Sequence, residues 1–124
     1  MGDKDSILVV DDDLDFLEII KRILGKKGYE VATAPSADEA IAEVKERFFN
    51  AAILDISLPD ADGTELLPSL LDIHPDIIAI MLTGHSSVQN AVKSLNRGAF
   101  AYLEKPLDPD NLLSVISRGL EKQR

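Results

Sequence analysis

The chain has 124 residues, of which 45% are hydrophobic and 28% are charged, proportions typical of one soluble globular domain with a packed core. It contains no cysteine, which excludes a disulfide framework, a thiolate zinc site and a cysteine nucleophile. The formal net charge of -9 argues against a nucleic-acid-binding surface, and no apolar run suits a membrane span or a signal peptide. We therefore expect a cytoplasmic protein that binds neither membrane nor nucleic acid through this domain.

Short apolar runs typical of buried strands alternate with segments of helical period along the whole chain. Between them stand boundary signals: Ser36 and Glu39 predict a capping box, Gly98 predicts a helix end, and Asp108 predicts the start of the last helix. Pro68 should disturb the middle of the third helix or shorten it. In chain order, the predicted elements are strand 6–10, helix 16–24, strand 29–34, helix 36–47, strand 51–54, helix 64–73, strand 77–82, helix 86–97, strand 101–104 and a helix after Asp108.

Five β-α units in a row predict a parallel sheet with helices on both faces. We expect a flavodoxin-like, doubly wound (βα)5 three-layer sandwich with strand order 2-1-3-4-5. It should be a single domain over residues 1–124, with a structured core from about residue 6 to 122. Ligands bind such sheets beyond the carboxyl ends of the strands. The residues that this fold places on that rim are Asp11, Asp12, Asp13, Asp55, Thr83 and Lys105.

The acidic residues at two strand ends are the strongest indication of function. Carboxylates gathered in one place repel one another and cost desolvation, so they are tolerable mainly where a cation binds. Asp11 and Asp12 are best placed as a metal pair, because Mg²⁺ prefers carboxylate oxygens together with waters and phosphate oxygens. Asp13 precedes a helical pattern and is expected to be its N-cap. Asp55 stands alone at the middle of the sheet, which makes it the best candidate for a nucleophile.

Two further rim residues suit an anionic phosphoryl group. Thr83 follows a strand and precedes Gly84, where a hydroxyl could bind a phosphoryl oxygen or simply cap a turn. Lys105 could neutralise that group or be an ordinary solvated lysine, and its position before Pro106 raises the prospect of a cis peptide bond. Aspartyl-phosphate chemistry unites these residues, because a metal, a lysine and a hydroxyl would stabilise the charge on the transferred group.

Five segments together resemble the receiver domains of two-component response regulators. Each segment alone would be weak, but they occur in the family's order, at its separations, and span the chain. They are residues 7–13 (ILVVDDD), 53–59 (ILDISLP), 62–63 (DG), 81–84 (MLTG) and 98–106 (GAFAYLEKP).

The resemblance implies that Asp55 accepts a phosphoryl group from a histidine kinase, a phosphotransfer protein or a small phosphodonor. Mg²⁺, or Mn²⁺ in its place, would be held by Asp11, Asp12, Asp55 and the backbone carbonyl of Ser57. Thr83 and Lys105 would bind the phosphoryl oxygens, and Tyr102 would be an aromatic switch, although packing alone could fix a strand aromatic. Ser57 and His85 occupy positions that tune hydrolysis in the family, but His85 could equally lie on a solvated loop.

The implied output is a change in the face built from the helix near Ser86, strand 101–104 and the last helix, which would control an output domain or partner. Dimerisation on phosphorylation is one such change, and regulation of transcription is one such output. The domain itself would not be an enzyme beyond its own phosphorylation and dephosphorylation. Two alternatives stay open: a metal-dependent aspartyl-phosphate phosphatase, and a receiver-like module that acts without phosphorylation. The chain could be a complete regulator or the receiver of a longer protein.

Overall fold

The computed structural model describes residues 4–84 and 88–123, and within these ranges strands and helices alternate. Each strand is followed by a helix. In chain order the elements are β1 (Ser6–Val10), α1 (Leu14–Lys26), β2 (Glu30–Ala34), α2 (Ala37–Glu46), β3 (Ala51–Asp55), α3 (Gly63–Ile73), β4 (Ile78–Thr83), α4 (Val88–Asn96), β5 (Ala101–Glu104) and α5 (Pro109–Gln123).

The strands form one parallel sheet in the order β2-β1-β3-β4-β5, which confirms the predicted fold class and strand order. Val10 at the end of β1 pairs with Leu54 of β3. Asp55 in turn pairs with Leu82 of β4. This register brings the carboxyl ends of the central strands to one edge, where the strand order reverses between β1 and β3.

Two apolar cores lie on opposite faces of the sheet, because successive side chains of a strand point to opposite sides. Ile7 and Val9 of β1 pack in the core that includes the apolar sides of α1 and α5, whereas Leu8 and Val10 pack in the core that includes those of α2 and α3. The last helix packs against the sheet through its apolar side. Leu112, Val115 and Ile116 are buried in the first of these cores, with Leu107 and Leu113 packed against it.

The predicted boundaries hold where a capping residue defines them. The Ser36 hydroxyl oxygen accepts the Glu39 N–H at 3.2 Å and donates to the Glu39 carboxylate at 3.1 Å, so the predicted pair caps α2. Gly98 follows α4 at a φ of 106°, a backbone conformation that favours glycine. Pro68 does not shorten α3, which runs unbroken from Gly63 to Ile73. The predicted start of the fourth helix at Ser86 lies outside the described residues.

None of the helices in the described ranges has the length and apolar character that a helix needs to cross a membrane.

Candidate functional site

Three carboxylates meet where β1 and β3 end. One oxygen from each of Asp11, Asp12 and Asp55 lies within 4.8 Å of the others. Asp11 is 1% exposed and Asp55 is 6% exposed, whereas Asp12 faces solvent. Oxygen ligands on rigid strand ends with one open side suit a hard divalent cation that keeps several of its waters. The donor set therefore fits the magnesium ion that the sequence predicts.

Backbone contacts fix the acidic segment that follows β1. The Asp11 amide donates to the Ala34 carbonyl at 3.1 Å, and the Asp13 amide donates to Asp11 Oδ1 at 3.0 Å. The Asp13 side chain turns the other way and accepts the Phe16 N–H at 3.2 Å, so its predicted role as N-cap of α1 is confirmed. Of the three consecutive acids, two are thus left to face the rim.

Lys105 brings a positive charge to the carboxylates from the end of β5. Its Nζ lies 2.5 Å from Asp11 Oδ2 and 3.7 Å from Asp55 Oδ2. Burial acts to lower the pKa of Lys105, but its hydrogen bond to Asp11 and the charges of Asp11 and Asp55 outweigh it, so this pKa is raised. The ammonium also lies 4.5 Å from the ring centroid of Phe16, a cation–π contact. The Lys105–Pro106 peptide bond is cis, as the sequence suggested.

The surroundings of Asp55 disfavour the ionised form of its carboxyl group. Burial raises its pKa above the usual value, and the negative charges of Asp11 and Asp12 raise it further. The hydrogen bond from the Ser57 N–H, 3.2 Å from Asp55 Oδ1, and the charge of Lys105 oppose this rise without cancelling it. Because ionising Asp55 is costly in this position, a cation bound nearby would stabilise its carboxylate form.

The loop over residues 56–62 packs tightly against the end of β3. The Gly63 N–H donates to the Ile56 carbonyl at 2.6 Å. A Cβ at position 63 would overlap the Asp55 carbonyl oxygen and stand 2.9 Å from the Ile56 Cα. The Asp62-Gly63 segment thus has a structural reason: Asp62 caps α3 through the Thr64 N–H at 2.8 Å, and glycine lets the helix approach Asp55.

Thr83 and Tyr102 occupy neighbouring strands beside the acids. Thr83 is buried as the last residue of β4, and its carbonyl accepts the Lys105 N–H at 2.7 Å. Tyr102 packs against the core beside α2 and α3, and its buried hydroxyl has no hydrogen-bond partner in the part of the chain that is described. Such a group costs about 1–3 kcal/mol, so packing of the ring must hold it inward. His85 lies outside the described residues.

Two long-range contacts near the site are not predicted in the sequence analysis. The Asp60 carboxylate reaches the first amides of α2, 23 and 22 residues away, and Arg97 Nη1 donates to the Thr64 carbonyl at 2.9 Å. A sequence signal existed only for the second contact. Pro68 has no N–H for the carbonyl four residues before it, so a donor to Thr64 is expected, but its identity is not.

The chain matches the response regulator receiver domain family over residues 7–117. It therefore belongs to this family of regulatory signalling domains, as the five sequence segments suggested.

Individual relatives agree with this assignment. Among curated proteins, the chain is 39% identical over 121 residues to the nitrogen assimilation regulatory protein NtrX of Azorhizobium caulinodans, covering 96% of the chain but 27% of that protein. Among solved structures, a CheY-like receiver domain protein of Methanospirillum hungatei superposes with a TM-score of 0.94 at 45% identity, covering 98% and 97% of the two chains. A Burkholderia pseudomallei response regulator, solved with a phosphorylated aspartic acid and a calcium ion, superposes with a TM-score of 0.88 at 30% identity. The match covers 96% of this chain and 70% of that one. The chain thus spans about a quarter of the length of this curated relative.

Proposed function

We propose that the chain is a cytoplasmic phosphoryl-accepting switch in which Asp55 is phosphorylated by a histidine kinase, a phosphotransfer protein or a small phosphodonor. One observation carries the proposal: Asp55 shares a rim with two other carboxylates and with the ammonium of Lys105. A carboxylate is a competent phosphoryl acceptor when nearby positive charge stabilises the transferring group. The phosphorylated aspartic acid in the Burkholderia pseudomallei relative supports the same chemistry here.

In the proposed reaction, an Asp55 oxygen attacks the phosphorus, and the bond from phosphorus to the donor's nitrogen or oxygen breaks. Lys105 and the Thr83 hydroxyl would bind the phosphoryl oxygens. Asp11, Asp12, Asp55 and the Ser57 carbonyl would hold Mg²⁺, or Mn²⁺ in its place, which supplies positive charge to carboxylates and phosphoryl oxygens alike. We propose that two residues, exposed Ser57 and His85, adjust the rate at which the phosphoryl group on Asp55 is later hydrolysed.

The proposed output passes through Thr83, Tyr102 and α4. If Thr83 moves toward the phosphoryl group, the space beside it changes for the inward Tyr102 ring, and α4 next to β5 repacks. Two large apolar side chains on α4, Val92 and Leu95, are each 50% exposed, so a change in this face alters an apolar contact surface. We propose that this face controls an output domain, a partner protein or a second copy of the chain. Transcription is one proposed output, and residues 1–124 are proposed to form one receiver domain.

Intact mass spectrometry tests the phosphorylation directly. After incubation with Mg²⁺ and acetyl phosphate, the chain should gain the mass of one phosphoryl group, and Asp55→Asn should gain none. Asp13→Asn is the matched control: it alters a neighbouring acid that caps α1, and it should be phosphorylated like the unaltered chain. Equal modification of Asp55→Asn, or undiminished modification in EDTA, would contradict the proposal. Turnover of aryl phosphates would instead indicate a phosphatase.

The switch has a separate readout. The chain has two tyrosines and no tryptophan, so Tyr29→Phe leaves Tyr102 as the sole strong fluorophore. The Tyr102 emission should change when the phosphoryl group is added and should not change in the Asp55→Asn background. An unchanged emission in a fully phosphorylated sample would show that Tyr102 does not respond.

A further inference from the structure

Asp60 joins the loop over residues 56–62 to a different helix. Its Oδ1 accepts the Ala37 N–H at 2.9 Å and its Oδ2 accepts the Asp38 N–H at 3.0 Å. These are the first two residues of α2, whose amides have no acceptor inside the helix. The third such amide, that of Glu39, is capped by Ser36. Residues from two separate loops therefore complete this helix end, and Asp60 supplies the larger share.

These contacts restrain the loop that starts at Asp55. Inside the loop, Ser57 pairs with Asp62 in an isolated bridge, and the Leu58 N–H donates to the Ala61 carbonyl at 3.2 Å. Asp60 lies at the tip of this small hairpin, so its two charge-assisted hydrogen bonds fix the tip to α2 while β3 fixes the base. Backbone N–H groups also hold the pKa of Asp60 below its usual value.

We propose that Asp60 is a positioning residue for the cation site: by tying the loop tip to α2, it holds the Ser57 carbonyl in place to bind the metal. This inference rests on the proposed function, in which that carbonyl is a ligand. When a ligand is already ordered before the metal binds, binding costs no further conformational entropy for that ligand. Metal affinity therefore falls when the restraint is lost. Ser57 is exposed, and its position therefore depends on the loop backbone rather than on burial.

The test is the Mg²⁺ affinity of Asp60→Ala, measured by isothermal titration calorimetry. We expect affinity to fall about tenfold, the lower end of the range for residues that support metal ligands. Phosphorylation by acetyl phosphate at saturating Mg²⁺ should reach the same extent as in the unaltered chain. Asp60→Asn retains one carbonyl oxygen and should fall in between, which keeps the test valid if Asp60→Ala is poorly folded.

Two controls separate positioning from other effects. Ser36→Ala removes the other cap of the same helix end without touching the loop, and Asp38→Asn removes a negative charge from the same neighbourhood. Both should bind Mg²⁺ like the unaltered chain. Equal affinity in Asp60→Ala, or an equal loss in either control, would overturn the positioning role. Failure of the unaltered chain to be phosphorylated would instead overturn the proposed function, so the two failures are distinguishable.

Discussion

The contact between Arg97 and α3 allows a sharp test of how the chain tolerates a proline inside a helix. Pro68 cannot donate to the Thr64 carbonyl, which in a continuous helix would accept the N–H of residue 68. Arg97, directly after α4, donates to that carbonyl from Nη1 at 2.9 Å. Thr64 is fully buried, so without Arg97 its carbonyl would lose this side-chain donor in a place that is closed to water. We predict that the effects of substitutions at positions 68 and 97 are coupled.

The magnitudes follow from the two partners. A hydrogen bond with a charged group contributes about 1.5–3 kcal/mol, and because Arg97 is exposed we expect Arg97→Ala to cost about 1 kcal/mol. Proline costs about 3 kcal/mol against alanine inside a helix. Pro68→Ala removes this cost, but alanine also raises the conformational entropy of the unfolded chain, which offsets part of the gain. Pro68→Ala should therefore stabilise the fold by about 1–2 kcal/mol. In the Pro68→Ala background, residue 68 supplies the missing N–H, and Arg97→Ala should cost less than about 0.5 kcal/mol.

The unaltered chain, Arg97→Ala, Pro68→Ala and the variant with both substitutions form a double-mutant cycle. Far-ultraviolet circular dichroism during urea unfolding gives the free energy of unfolding of each. The two expected costs of Arg97→Ala differ by more than about 0.5 kcal/mol, and this difference between the two backgrounds is the coupling energy. Arg118→Ala is the matched control, since Arg118 is an exposed arginine whose Nε donates to the Ser114 carbonyl of its own helix, at 3.5 Å. Its effect should be small in either background. If Arg97→Ala costs the same with proline or alanine at position 68, the reasoning is refuted.

Two further predictions concern the site. Gly63→Ala should destabilise the fold by about 3 kcal/mol, because its Cβ meets backbone atoms of Asp55 and Ile56, whereas Gly25→Ala in α1 meets nothing within 4 Å and should stabilise by up to about 1 kcal/mol. Thermal unfolding of both variants decides this, and equal effects would contradict the steric argument. Asp55→Asn should be more stable than the unaltered chain at pH 7 without metal. The raised pKa of Asp55 means that its stabilising contribution is present below pH 3.8 and lost as pH rises through the folded value, so the advantage of Asp55→Asn should shrink on acidification. An advantage that is constant with pH would argue against this.

Local patterns predicted those parts of the fold that local interactions decide. The strands over Ser6–Val10 and Ala101–Glu104 have the predicted bounds, and the caps at Asp13 and Ser36 lie where predicted. The rim could also be predicted, because a parallel sheet brings its strand ends to one edge whatever the loops do. Strand order and alternation were sufficient to place Asp55 beside Asp11.

The contacts that escaped prediction join residues far apart in sequence through flexible side chains or loop tips. Asp60 reaches α2 only because the loop over residues 56–62 folds back on itself, and no periodicity encodes that path. The Phe16 ring approaches Lys105, which lies 89 positions later in the chain, although the sequence predicted only that a helix begins near Phe16. For Pro68, the sequence predicts an unsatisfied carbonyl at Thr64, but the choice of Arg97 as donor depends on where α4 ends.

The charges on the rim determine which carboxylate the Lys105 ammonium lies closer to. Among the described residues of the rim, three carboxylates face one ammonium, so two negative charges remain uncompensated, and one divalent cation would balance them. Lys105 is shared unequally in this state, at 2.5 Å from Asp11 and 3.7 Å from Asp55. In the proposed function, a divalent cation that neutralised Asp11 would weaken the attraction between Lys105 and that carboxylate, and a phosphoryl group on Asp55 would add negative charge on the other side. Both changes would draw the ammonium from Asp11 toward Asp55, so the lysine that neutralises the acids beforehand would be available to bind the phosphorylated product.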